Sequence, residues 1–129
     1  MNIASMAAFT PIAYKTVYPA SKAFISSFSL GLREELNDTS ISISVVYPGP
    51  IMTNSGVSAR IIKQGIKGKM GLLSTPEIAR VALRQTLVGK AIIIPGFWNR
   101  LNQRLMAMLP MEIKLKIVSQ AVKKELAIK

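Results

Sequence analysis

An α/β fold with a small parallel sheet of about three strands, flanking helices and a C-terminal helical tail is predicted by three observations. Short β-branched, apolar runs alternate with helical stretches in the order strand, helix, strand, helix, strand. The stretch between the first two runs repeats its apolar residues at three- and four-residue spacing, as an amphipathic helix does. The last run, Ala91-Ile92-Ile93-Ile94-Pro95, is continuously apolar, as strands covered on both faces are.

Residues 1–5 read as the end of a buried strand. The apolar stretch that follows is no secretory leader, because no cation precedes it and Pro11 interrupts it. Residues 16–37 carry Val17, Ala20, Phe24, Phe28, Leu32 and Leu36 on one helical stripe, and Asn37-Asp38-Thr39-Ser40 ends the helix. Residues 41–47 alternate Ile41, Ile43 and Val45 with serines before turning fully apolar, which favours a second strand. Pro48-Gly49-Pro50 stops it.

Residues 51–73, with Gly56, Gly65, Gly68 and Gly71, have the composition of a mobile loop holding a short helix near residues 59–64, and are expected to form a substrate lid. Ser74 or Thr75 followed by Pro76 and Glu77 supplies an N-cap, a first-turn proline and an early acid, so a helix runs to about Val88 and closes at Gly89. Residues 91–95 give the third strand. Residues 97–129 form two basic amphipathic helices separated near Pro110. The strand order implies right-handed crossovers and leaves the first strand at an open edge.

With 129 residues, half of them hydrophobic, the chain is large enough for one globular domain. It contains neither cysteine nor histidine, which excludes disulfides, Cys/His metal sites and Ser-His-Asp chemistry. Catalysis is left to Ser, Tyr, Lys or carboxylates. The net charge of +11 is all in the second half: residues 1–59 are neutral, whereas residues 60–129 hold fourteen basic groups against Glu77, Glu112 and Glu125. That asymmetry suits an acidic partner surface, although a solvated basic face is equally compatible with it. No apolar run reaches the roughly 18 to 20 residues a bilayer span requires, and a cytoplasmic chain is expected.

Tyr18 and Lys22 lie four residues apart on one face of the first helix, where the ammonium favours phenolate. Ser5 ends the preceding strand, and Pro48-Gly49-Pro50-Ile51-Met52-Thr53 follows the next one. Glycine at the turn allows close approach of backbone to a ligand. Singly these pieces are common, but Asn2-Ile3-Ala4-Ser5, Tyr18-Pro19-Ala20-Ser21-Lys22-Ala23-Phe24 and Pro48–Thr53 in this order and spacing are specific. Together they resemble the C-terminal half of the short-chain dehydrogenase/reductase family.

The resemblance covers nearly the whole chain and implies a truncated Rossmann-like, doubly wound sheet in residues 1–96, followed by the tail at 97–129. It implies an oxidoreductase that uses NAD or NADP to interconvert a carbonyl and a secondary alcohol. Tyr18 would be the general acid/base, Lys22 would support it and hold the nicotinamide ribose, and the Ser5 hydroxyl would bond the substrate oxygen. Tyr18, Lys22, Pro48, Gly49, Ile51 and Thr53 would contact the cofactor, with Ile51 near the carboxamide and Thr53 near the phosphates. The family's N-terminal glycine motif and catalytic asparagine have no counterpart here. Gly65, Gly68 and Gly71 lack the G-x-G-x-x-G spacing and follow no strand. The chain alone is therefore expected to be inactive until a complementary N-terminal half is supplied.

The tail sets Phe97, Trp98 and many aliphatic residues among Arg100, Arg104, Lys114, Lys116, Lys123, Lys124 and Lys129. It could lie on an anionic membrane surface, or pack its apolar side on the domain or on a second copy. The expected partners are accordingly a small carbonyl or alcohol substrate of apolar character, a complementary half or homo-oligomer, and an anionic membrane; nucleic acid is disfavoured for want of a reader motif. The alternative to an enzyme is a non-catalytic remnant acting as a basic membrane-surface or protein-interaction module.

Overall fold

The computed structural model describes residues 1–51 and 71–127. Three parallel strands form one sheet in the order β1 (Asn2–Ile3), β2 (Val45–Val46), β3 (Ile92–Ile93). Asn2 stands opposite Val45, and Val45 opposite Ile92. Pairing extends past these short cores: Ala4 N donates to Val46 O at 2.8 Å, Tyr47 N to Ile93 O at 2.8 Å, and Met6 N to Pro48 O at 3.0 Å.

The second strand is shorter than the alternation of residues 41–47 predicts, and at its entrance the Ile43 carbonyl is taken by Arg33. The guanidinium donates to Ile43 O and to Ser42 Oγ at 3.1 Å, and also to Gly89 O at 2.8 Å. One side chain thus ties the first helix to the start of β2 and to the turn leading into β3.

Helices cover both faces of the sheet, as fully apolar central strands require. On one face Ala4, Val45 and Tyr47 pack with Ile25 and Leu30 of α1 (Val17–Glu35). On the other, Val46 and Ile93 pack with Val81 and Ala82 of α2 (Thr75–Leu87). The start of α2 is fixed by a reciprocal cap: Ser74 Oγ accepts from Glu77 N, while Glu77 Oε2 accepts from Ser74 N at 2.9 Å and from Ser74 Oγ at 2.6 Å. These two bonds, the side-chain one first, hold the Glu77 carboxyl below its ordinary pKa. At the other end Gly89, with φ +74°, supplies a left-handed residue that few side chains would tolerate.

α1 forms where the periodicity puts it, but its aromatic stripe faces outward. Phe24 is 70% exposed and Phe28 54%, their rings stacked 6.1 Å apart, and Val17 is exposed as well. The side turned to the sheet carries Ser26 and Ser29 beside Ile25 and Leu30. Ser29 is fully buried, donates to Ile25 O at 2.6 Å and accepts from Asn2 Nδ2 at 2.8 Å. Small hydroxyl side chains let the helix lie close to the strands and satisfy their own polar atoms, which large aromatics could not do.

Between β1 and α1 a 3₁₀ helix spans Met6–Phe9, an element the periodicity did not signal. The tail forms α3 (Phe97–Ala107) and α4 (Met111–Ala127), broken by Pro110 as the sequence indicates. It is joined to the rest of the molecule: Asn99 and Val122 are buried, and Ser119 Oγ accepts from Ala13 N at 3.4 Å. No described helix is long and apolar enough to cross a membrane.

Candidate active site

Three chain segments meet at one end of the sheet. The end of β1 delivers Ser5, whose Oγ accepts from Ala7 N at 3.2 Å and so caps the 3₁₀ helix. The first two turns of α1 deliver Tyr18 and Lys22. The Lys22 ammonium lies 5.8 Å from the centroid of the Tyr18 ring and donates to Ile3 O at 3.4 Å, which anchors the lysine to β1. Tyr18 is half exposed.

The end of β2 delivers the turn. Tyr47 is buried beneath it, its hydroxyl hydrogen-bonded to Ser26 Oγ at 2.6 Å and its ring stacked 4.7 Å from Phe9. That one residue pins α1, the 3₁₀ helix and the turn together. Ile51, beyond the turn, bridges to Leu73 in parallel register.

These segments border an open cleft of about 940 Å³, within the size range of small-molecule sites. Ser5, Tyr18, Lys22, Pro48, Gly49 and Ile51 all line it. Thr53, the expected lid of residues 51–73 and the short helix at 59–64 fall wholly or largely outside the described residues. The opposite wall comes from the tail: Gln103 and Met106 of α3, Lys114 and Val118 of α4. Among the described residues, three lysines and no carboxylate line the cavity.

Packing alone requires glycine at position 49. A Cβ there would stand 2.6 Å from Asn99 Oδ1. Asn99 also sits against Gly71 (φ +80°) and Gly96 (φ +88°), and its Nδ2 donates to Gly71 O at 2.9 Å and to Pro95 O at 2.8 Å. One buried amide, 6% exposed, thereby holds the turn after β2, the approach to α2 and the turn after β3 in a single cluster. Asn99 and Tyr47 position the site, and sequence reasoning singled out neither; the three separated glycines were the available signal for Asn99.

The chain's first 62 residues match the model of the short chain dehydrogenase family. A ketoacyl reductase, HetN, from Nostoc sp. is 31% identical over 106 residues, covering 81% of this chain and 36% of that protein. The chain belongs to the short-chain dehydrogenase/reductase family. Another relative, the NADP-dependent 3-hydroxy acid dehydrogenase YdfG of Escherichia coli, is 43% identical over 49 residues, which are 38% of this chain and 20% of that enzyme. A solved structure from work on 7β-hydroxysteroid dehydrogenase stereoselectivity superposes with a TM-score of 0.76 at 21% identity, covering 91% of this chain and 46% of that one. The superposition establishes a Rossmann-like fold for this family member. The chain spans about a third of HetN's length and a fifth of YdfG's.

The donor set suits part of a nicotinamide dinucleotide. Tyr18 and Lys22 both line the cavity, and a phenol hydroxyl with an ammonium is a pairing fit for the ribose hydroxyls of the nicotinamide end. For a pyrophosphate, the described residues provide no glycine-rich turn from a strand into a helix N-terminus.

Proposed function

We propose that the chain is the catalytic half of an NAD(P)-dependent oxidoreductase acting on a carbonyl or secondary alcohol. The observation that carries this reading is the convergence of Ser5, Tyr18 and Lys22 on one cavity beside the Pro48–Ile51 turn. The nicotinamide, when bound, supplies or accepts the hydride. Tyr18 delivers the proton to the carbonyl oxygen in reduction and removes it in oxidation. Lys22, held at β1 by the Ile3 carbonyl with its ammonium 5.8 Å from the centre of the Tyr18 ring, bonds the ribose hydroxyls. The Ser5 hydroxyl orients the substrate oxygen; its oxygen already accepts from Ala7 N, leaving the proton to donate outward. Pro48 and Gly49 form the turn against the cofactor, Ile51 offers backbone to the carboxamide, and Thr53 reaches the phosphates.

In this reading residues 1–96 carry the chemistry, and a complementary nucleotide-binding half completes the site. The open edge of β1 and the outward Val17, Phe24 and Phe28 support a complementary segment or a second copy packing there. Alone, the chain is inactive and binds dinucleotide weakly. Adding a separately produced nucleotide-binding half from a relative should restore consumption of NADH or NADPH with a carbonyl substrate. Micromolar dinucleotide affinity of the isolated chain would contradict the division of labour.

A second reading concerns residues 97–129. Phe97, Trp98, Leu105, Met108, Ile113 and Ile117 are exposed beside Arg104, Lys116, Lys123 and Lys124, which supports a cytoplasmic protein held peripherally on anionic membrane. Each cation near such a surface contributes about 1 kcal/mol. Lys116, Lys123 and Lys124 changed together to Glu should release the chain from phosphatidylserine vesicles in a co-sedimentation assay; equal sedimentation would leave the tail with a packing role only.

A further inference from the structure

Lys114 differs from the other described lysines of α4. Lys116, Lys123 and Lys124 are exposed, whereas Lys114 is half-buried and lines the cavity. Its backbone N donates to Pro110 O at 3.1 Å, but its ammonium makes no hydrogen bond or ion pair with any described residue. The same cavity is lined by apolar Phe9, Ile12, Met106 and Val118, with Lys15 and Lys22 also on its lining; Lys22 donates to Ile3 O, so its ammonium already has a partner. A partly desolvated ammonium without a counter-charge is unfavourable, and a carboxylate brought by a ligand relieves it.

We infer that the cavity takes an apolar molecule ending in a carboxylate, with Lys114 as the residue that binds the anionic end and α3 and α4 as the walls that cover the apolar body. The inference rests on the oxidoreductase reading only for the role of that molecule as substrate. It makes the tail a specificity element: the helices that border the cavity also choose its occupant. The chemistry of Tyr18 is then separated from recognition, since the proton-transfer groups come from β1 and α1 and the anion-binding group from α4.

The test is calorimetric titration of the full chain with octanoate and with 1-octanol, which share an apolar body and differ in the charged end. Octanoate should bind at least tenfold more tightly. Lys114→Gln should abolish that difference, Lys114→Arg should preserve it, and Lys116→Gln, on the same helix but outside the cavity, should leave it unchanged, with circular dichroism showing each variant folded. Equal binding of acid and alcohol, a difference that survives in Lys114→Gln, or the same loss in Lys116→Gln would overturn the inference. So would NADPH affinity, rather than octanoate affinity, that depends on Lys114, because the ammonium would then serve a cofactor phosphate. The probes carry no reducible carbonyl and need no dinucleotide, so the result is independent of whether Tyr18 transfers a proton.

Discussion

α1 and α3 solve the same packing problem in the same unexpected way. Each is amphipathic, yet each turns a polar residue inward and aromatics outward: Ser29 is buried in α1 while Phe24 and Phe28 are exposed, and Asn99 is buried in α3 while Phe97 and Trp98 are exposed. Close approach explains both. α1 rests on the strands through serines set between Ile25 and Leu30, and α3 sinks an amide into a pocket that exists because residues 49, 71 and 96 are glycines. The two helices differ in what they then hold. The serines of α1 bond Asn2 and Tyr47, at β1 and the end of β2, whereas Asn99 bonds Gly71 and Pro95, before α2 and after β3.

The largest effect should come from filling the space under α1. Ser29→Leu forces a branched side chain into a fully buried position and deprives Asn2 Nδ2 of its acceptor, so a loss of about 3 kcal/mol is expected in urea unfolding. A loss below 1 kcal/mol would show that α1 does not sit closely on the sheet.

At α3 the corresponding probe is a double-mutant cycle. Gly49→Ala places a methyl against Asn99 and should cost about 1–3 kcal/mol, but much less in an Asn99→Ala background, where the clash is gone. Additive effects would mean that Gly49 is glycine for some reason other than Asn99.

Smaller again is the cap of α2. Ser74→Ala should lower stability by about 1 kcal/mol. Because the Glu77 carboxyl is held below its ordinary value by its bonds to Ser74, its contribution is full above that ordinary value. It should fade as the pH falls through the lowered folded value. Unfolding midpoints of Glu77→Gln and the parent chain should therefore converge in acid, and a gap that widens there would reverse the assignment.

Smallest of all should be Phe24→Ser and Phe28→Ser, each within about 0.5 kcal/mol for the isolated chain. The same substitutions should weaken association with a complementary half or second copy measured by analytical ultracentrifugation. A substantial loss of stability without any partner would mean that the stripe is core after all.

Element positions were legible in the sequence because caps and breakers are local: Ser74-Thr75-Pro76-Glu77 starts α2, Gly89 ends its turn, and Pro110 parts α3 from α4. The grouping of Ser5, Tyr18, Lys22 and the Pro48–Ile51 turn was legible too, since order and spacing carried it. The orientation of α1 was not. Periodicity reveals a stripe without naming its neighbour, and Ile25 and Ser29 share the same four-residue spacing one position along. Asn99 was hidden for a related reason: its partners Gly49, Gly71 and Gly96 are scattered over nearly fifty residues, and only the folded chain brings them together. The 3₁₀ helix at Met6–Phe9 was invisible because Met-Ala-Ala-Phe continues an apolar run, and its signal, the Ser5 cap, was already read as catalytic.

The central claim is that the half-exposed Tyr18, beside Lys22 and across from Ser5, moves the proton. The most direct test is the rate of carbonyl reduction by the chain complemented with a nucleotide-binding half, compared between the parent sequence and Tyr18→Phe. The substitution removes one hydroxyl and almost no volume, so circular dichroism should be unchanged while turnover falls by about a hundredfold or more. Near-parental turnover in a folded Tyr18→Phe protein would contradict the account.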